Sequence, residues 1–140
     1  MKVSPRHKAR ELALQGVYSW QLSSNAVEQV ELMLATSNDM KQVDMTLFQR
    51  LLRGAVTQYD ELDQQIKPYL GRLPEELDPI EKAILRISTF ELVHCIETPY
   101  KVIINEAIEL AKSFGAQDSH KFINGVLDKA VKTLRKHERS

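Results

Sequence analysis

Residues 78 to about 95 read as a central, mostly buried helix, and this segment sets what the rest of the chain must do. Asp78-Pro79-Ile80-Glu81 has the form of a capping box. The aspartate accepts from the backbone N–H three residues on, the glutamate reaches back, and the proline sits where its missing N–H does no harm. Beyond it, Ile80, Ile84 and Ile87 line one side, and Leu85, Leu92 and Ile96 another. A helix apolar on two sides belongs in an interior. The 140-residue chain must therefore wrap this helix with its other elements, in a single domain.

Those other elements also read as helices. Ser4-Pro5 opens the first, which runs to about Leu22, with Ala9, Leu12, Ala13, Gly16, Val17 and Trp20 at helical spacing. Ser24 or Asn25 starts a second, to about Ala35, and residues 36–43 read as loop. Asp44 caps a third, to about Lys67, before Pro68, Gly71 and Pro74 break the chain into turns. The central helix runs to about Cys95. Thr98-Pro99 opens the next, which Gly115 ends, and Asp118 or Ser119 caps the last, to about Lys136. Ile123, Val126, Leu127, Ala130, Val131 and Leu134 form the last helix's apolar stripe. No strand pattern and no repeat stands out. The expected fold class is all-α: a compact single-domain bundle spanning 1–140. The Pro/Gly stretch divides it into an N-terminal half of about 1–67 and a C-terminal half of about 68–140, each too small to be a separate domain.

Several function classes find no support. No stretch approaches the roughly 18 apolar residues of a membrane span, and no apolar run lies between Met1 and Glu11 to suggest a signal peptide. The single cysteine, Cys95, reads as a small buried hydrophobe, which suggests a reducing compartment and a cytoplasmic protein. His7, His94, His120 and His137 do not pair with Cys or each other at ligand spacing, so no metal is expected. Asp118-Ser119-His120 contains the residue types of a catalytic triad. Consecutive helical side chains point about 100° apart, which prevents the triad hydrogen bonds. There is no glycine-rich phosphate loop. We expect no catalytic residues, no cofactor and no enzyme.

The charge pattern points elsewhere. Net charge is zero, yet Lys2, Arg6, Lys8 and Arg10 precede the first acid, Glu11; acids outnumber bases over 51–100, and bases outnumber acids over 101–140. Basic termini suit phosphate and an acidic middle suits a basic protein, although each run also reads as an ordinary solvated face. Two aromatics leave the core stripes. Tyr18 lies roughly 170° from the centre of the first helix's stripe, on the side of His7, Glu11 and Leu14, with Arg6 and Arg10 between that side and the core. Phe122 lies roughly 110° off the last stripe, beside Asp118, Lys121, Gly125, Lys129, Lys132 and Lys136. Rings flanked by cations suit a single-stranded nucleic acid, with Lys for phosphate and rings for bases. The competing reading is that Tyr18 packs beneath a neighbouring element and Phe122 is a core-edge residue.

The sequence Pro99-Tyr100-Lys101-Val102-Ile103-Ile104-Asn105-Glu106-Ala107-Ile108-Glu109-Leu110-Ala111-Lys112, continued by Ser113-Phe114-Gly115 and by Lys121-Phe122-Ile123-Asn124-Gly125-Val126-Leu127-Asp128, resembles the signature of the transcription antitermination factor NusB family. Arg10-Glu11-Leu12-Ala13-Leu14-Gln15-Gly16-Val17-Tyr18 is similar to that family's N-terminal helix, and Glu81-Lys82-Ala83-Ile84-Leu85-Arg86 to the start of its central helix. The resemblance covers essentially the whole chain. It implies about seven helices in two packed halves, binding of the single-stranded boxA element of nascent ribosomal RNA, and a heterodimer with the small-subunit ribosomal protein NusE. The pair would join an antitermination complex on RNA polymerase. The basic start matches the family at Lys2, Arg6, Lys8 and Arg10, and departs from a fully Arg-rich run at His7 and Lys8. Tyr18, Asp118 and Phe122 match positions at or near the RNA and partner surface; Glu81, with Glu75 nearby, matches the side facing the ribosomal protein. Taken with the basic face of the last helix, the expected RNA contacts are Lys2, Arg6, His7, Lys8, Arg10, Tyr18, Asp118, Lys121, Phe122 and Lys129. The expected partner contacts are Tyr18, Glu75 and Glu81. Two other readings stay open: the RNA-binding domain of a ribosomal-RNA cytosine methyltransferase, which has a similar fold, and a helical adaptor that binds protein alone.

Overall fold

The computed structural model describes residues 3–139, so Lys2 lies outside the described residues. Among the described residues eight helices follow one another: α1 (Pro5–Ser23), α2 (Val27–Ser37), α3 (Met45–Thr57), α4 (Tyr59–Ile66), α5 (Pro79–His94), α6 (Tyr100–Phe114), α7 (Ser119–Leu134) and the single-turn α8 (Lys136–Arg139). Short 3-10 turns at Lys67–Tyr69 and Pro74–Glu76 bridge α4 and α5. No strand occurs among the described residues. The all-α bundle is as expected, with α8 as one turn beyond the seven main helices.

Local chemistry explains most helix starts. The Ser4 hydroxyl accepts from His7 N–H (3.0 Å), and the Asp44 carboxylate from Leu47 N–H (3.0 Å). At α5 both arms of the capping box are made: Glu81 N–H donates to Asp78, and Asp78 N–H to Glu81. Two boundaries differ from expectation. Ser24 does not cap α2; it adopts a left-handed conformation (φ 62°) and closes α1, donating to the Trp20 carbonyl. The third helix breaks at Gln58 (φ −110°, ψ 21°), so that α3 and α4 can each turn a face toward α5.

Helix α5 is the axis of the bundle, packing against α1, α3, α4, α6 and α7. It runs antiparallel to α1. Arg10, near the start of α1, meets Glu91, near the end of α5, and Gln21, near the end of α1, donates to the Pro79 carbonyl (2.9 Å). Burial of α5 follows its two apolar sides, except that Ile80 is half-buried and Ile96 is 76% exposed. The helix ends at His94, so Ile96 falls outside its periodicity. Leu14, expected on the outer side of α1, is instead buried, because α2, α3, α5 and α6 surround α1 on more than one side.

One arginine fixes the far end of α5. Arg135 is buried and donates to the carbonyls of Leu92 (2.6 Å), Thr98 (3.0 Å), Glu91 (3.1 Å) and Cys95 (3.0 Å), while also pairing with Glu138. The last carbonyls of a helix have no intrahelical donor and carry its negative dipole end, and Arg135 answers both needs.

Candidate nucleic-acid interface

The expected contacts gather at two ends of the molecule. The first follows from the opening turns of α1, which lie beside the end of α5 and the starts of α3 and α6. Arg6 is exposed, with Nη1 3.6 Å from an Asp44 carboxylate oxygen and Nη2 donating to Thr98 Oγ1 (3.4 Å). Lys8 Nζ donates to Gln42 Oε1 (3.3 Å). Exposed pairs of this kind contribute little and exchange readily for a stronger anion. His7 is half-buried, with Nδ1 2.6 Å from a Glu106 carboxylate oxygen and Nε2 3.7 Å from one of Glu11.

Arg10 does not belong with them. It is 2% exposed, and its guanidinium donates twice to the equally buried Glu91 (2.8 and 2.9 Å), with Glu106 3.6 Å away. Burial works against its charge, but the Glu91 hydrogen bonds and the charges of Glu91 and Glu106 outweigh it and hold the guanidinium pKa above its ordinary value. Arg10 is thus an internal strut between α1 and α5, and the expectation that it contacts RNA is corrected.

The second group sits where α5 and α7 begin. Asp118 (φ 74°) ends the turn before α7; its side chain makes no cap and lies 3.3 Å from the Lys121 ammonium, both exposed. Phe122, one residue on, is half-buried against the core and carries the guanidinium of Arg72 3.8 Å above its ring centroid. Lys129 and Lys132 are exposed further along α7; offsets of seven and eleven return near the same helical side as Phe122 and Lys121. Glu75 is exposed in the turn Pro74–Glu76. Glu81 is not: it is 6% exposed, its carboxylate completes the α5 capping box, and it accepts from the Ser119 hydroxyl (3.0 Å). The expectation of Glu81 as a direct partner contact is corrected, since it ties α5 to α7 beneath the surface.

Tyr18 lies on a third feature at the same end. It is half-buried and lines an open groove of about 580 Å³ with Leu14, Met33, Ile80 and Phe114, of which Met33 and Phe114 are exposed. Tyr18, Glu75, Asp118, Lys121 and Phe122 therefore share the end of the bundle where α5 starts. Arg6, His7 and Lys8 share the other. Sixteen helical residues separate the two, roughly 24 Å at the usual rise.

Sequence reasoning missed Arg72, which sits in a loop where no periodicity assigns a side, and a cleft of about 540 Å³ lined by Trp20, Tyr59, Lys82 and Arg86 among others. In that cleft the Trp20 and Tyr59 rings meet at 5.3 Å, while Arg86 is held by Asp63 (3.0 and 2.7 Å) and Gln21 (3.0 Å). Among the described residues no group of three or more His, Cys, Asp or Glu is arranged to hold a metal ion, and no helix is long and apolar enough to cross a membrane.

A family model described as the NusB family matches residues 7–132. The chain is 73% identical to "Transcription antitermination protein NusB" of Alteromonas mediterranea, over 99% of each chain, and 67% identical to the protein of that name from Pseudoalteromonas atlantica, over the whole of both. Its fold is similar to that of T. maritima NusB (TM-score 0.83, 29% identity, 99% of each chain). It is similar also to a NusB chain solved as "Antitermination Factors NusB and NusE in complex with dsRNA" (TM-score 0.82, 24% identity, 90% of this chain and 95% of that one).

Proposed function

The chain belongs to the NusB family, and on that premise we propose that it is a cytoplasmic, non-enzymatic antitermination factor that binds the boxA element of nascent ribosomal RNA jointly with NusE and so enters the RNA polymerase antitermination complex. The observation that carries the RNA-binding reading is the exposed side of α7, where Lys121 and Lys129 flank a half-buried ring, Phe122, that stands apart from the helix's apolar stripe. Lysines there neutralise phosphates and release counterions, and the aromatic site selects unpaired bases. Arg6, His7 and Lys8 at the other end extend the contact along the strand, Lys2 preceding them in sequence. Asp118 tempers the Lys121 charge through their 3.3 Å pair.

NusE as partner rests on the likeness to the solved NusB–NusE assembly and on the surface chemistry of the α5 end. There the exposed Glu75 offers charge to a basic ribosomal protein, and the Tyr18 groove offers apolar area. RNA and NusE each add contact surface, so the ternary complex is tighter than either pair.

The test is fluorescence anisotropy with a labelled single-stranded boxA-like RNA, a scrambled control, and purified NusE added or withheld. We expect boxA to bind more tightly than the scrambled strand, NusE to strengthen that binding, and Arg6→Ala and Lys121→Ala each to weaken it and flatten its salt dependence. Equal binding of both strands refutes the boxA reading. Absence of RNA binding, with NusE binding intact in the wild type and both variants, identifies a protein-only adaptor instead.

A further inference from the structure

Phe122 does not meet solvent as a bare ring. The guanidinium of Arg72 lies 3.8 Å from its centroid, within reach of a cation–π contact. Of the two, Arg72 is the exposed member, its side chain 39% accessible, while Phe122 packs against the buried core. The loop that delivers Arg72 is held at both sides. Leu70 before it is buried, and Gly71 takes a left-handed turn (φ 67°) that residues with a β-carbon rarely adopt. After the loop comes the 3-10 turn Pro74–Glu76. Glu81 reaches only to 4.0 Å of Arg72 Nη1, and its carboxylate is already engaged by the Asp78 N–H and the Ser119 hydroxyl. Arg72 therefore keeps most of its charge available.

We propose that Arg72 and Phe122 form a two-layer platform for a base of the single-stranded RNA, in which the guanidinium plane of Arg72 receives the base and Phe122, from below, holds that plane in position. The inference rests on the RNA-binding reading and refines it. Bases of single-stranded RNA stack on arginine planes as readily as on aromatic rings. An arginine layer adds a charge that a neighbouring phosphate also senses. A base stacking on Phe122 from the same side would first have to displace a guanidinium already seated there. Lys121, one residue before Phe122 and salt-bridged to Asp118 across an exposed turn, supplies a second cation beside the platform.

Lysine separates the two things arginine offers, because it keeps the charge and lacks the plane. The experiment measures boxA-like RNA affinity across a salt series for wild type, Arg72→Lys, Arg72→Ala, Phe122→Ala and the double alanine variant, each checked for helical content and unfolding midpoint. We expect Arg72→Lys to weaken binding about tenfold with the salt slope unchanged, and Arg72→Ala to weaken it further and flatten the slope. Phe122→Ala should cost affinity in the wild type and little more once Arg72 is gone. Full binding by a folded Arg72→Lys variant overturns the platform, as does strict additivity of the two alanine changes, since Phe122 would then stack on its own. Loss of NusE binding by Arg72→Ala with RNA binding unchanged also overturns it, by assigning Arg72 to the protein partner. If wild type binds neither strand, the RNA reading itself falls and takes the platform with it; RNA binding with indifferent Arg72 variants removes the platform alone.

Discussion

Arg10→Met replaces the buried guanidinium by an apolar side chain of similar length and strands the Glu91 carboxylate, itself 2% exposed. Both Arg10 hydrogen bonds to it, 2.8 and 2.9 Å long, are lost, and breaking a buried pair from one side typically costs about 3–5 kcal/mol. A second route limits the damage. The stranded carboxylate can take up a proton, which at pH 7 costs about 1.4 kcal/mol for every unit above a glutamate's ordinary value of ~4.3, or about 3.7 kcal/mol. The expected loss at pH 7 is therefore near 3–4 kcal/mol, a large part of the ~5–15 kcal/mol available to a domain of this kind. Proton uptake grows easier as pH falls, so the deficit should shrink by roughly 1.4 kcal/mol per unit toward pH 5. Urea unfolding followed by helical circular dichroism at several pH values measures this directly. The double change Arg10→Met with Glu91→Leu removes the stranded charge and should recover most of the loss. A deficit below about 1 kcal/mol that ignores pH, accompanied by weaker RNA binding of the folded variant, would show that Arg10 is a surface contact after all.

Gly54→Ala would put its new methyl 2.2 Å from Phe90 Cε2 and 2.3 Å from Cζ, where α3 crosses α5. Phe90 is itself buried, so the overpacking should outweigh the ~1 kcal/mol of helix propensity gained and leave a net loss of about 1–2 kcal/mol, read from the urea midpoint and partly reversed by Phe90→Leu. Burial raises the Cys95 thiol to about 11, so the folded state keeps a proton that the unfolded chain releases near 9. The contribution is whole below pH 9 and is lost as pH rises toward 11, by up to about 2–3 kcal/mol. Wild type should thus lose stability relative to Cys95→Ala across that window alone, and a constant difference would contradict the assignment.

How much of this was legible beforehand depends on the range of the forces involved. Helix starts at Ser4, Asp44 and Asp78 could be read because a cap is a bond between near neighbours. The start of α2 could not, because Ser24 is a capping residue type used here to end α1, and Ala26, the residue that precedes α2, makes no side-chain bond. The break at Gln58 carries neither proline nor glycine and comes from what α3 and α4 each pack against. The Arg72–Phe122 stack joins a loop to a helix some fifty positions later, and no period in the sequence links them.

Arg10 departs from its sequence expectation for a different reason, one that lies in the composition of the central helix. The pattern of that helix buries it on two sides, yet it contains Glu81, Arg86 and Glu91. A charge cannot stay inside such a helix unless a partner is brought to it, so the demand for oppositely charged side chains from elsewhere was already written in residues 81–91. The structure answers it with arginine each time a cation is buried. Arg10 meets Glu91, Arg86 within α5 meets Asp63 and Gln21, and Arg135 closes the carbonyl end, while no described lysine is buried. The division follows from chemistry: a flat, weakly hydrated guanidinium with five donors can satisfy several fixed acceptors at once, whereas an ammonium surrenders more hydration for fewer directed bonds. Lys and Arg are therefore two populations within one basic pattern. The lysines of α7 remain at the surface for a phosphate to find, but an arginine has first to be cleared of tight bonds inside the bundle, and Arg72, which approaches Glu81 of α5 only to 4.0 Å, keeps an exposed guanidinium over the Phe122 ring.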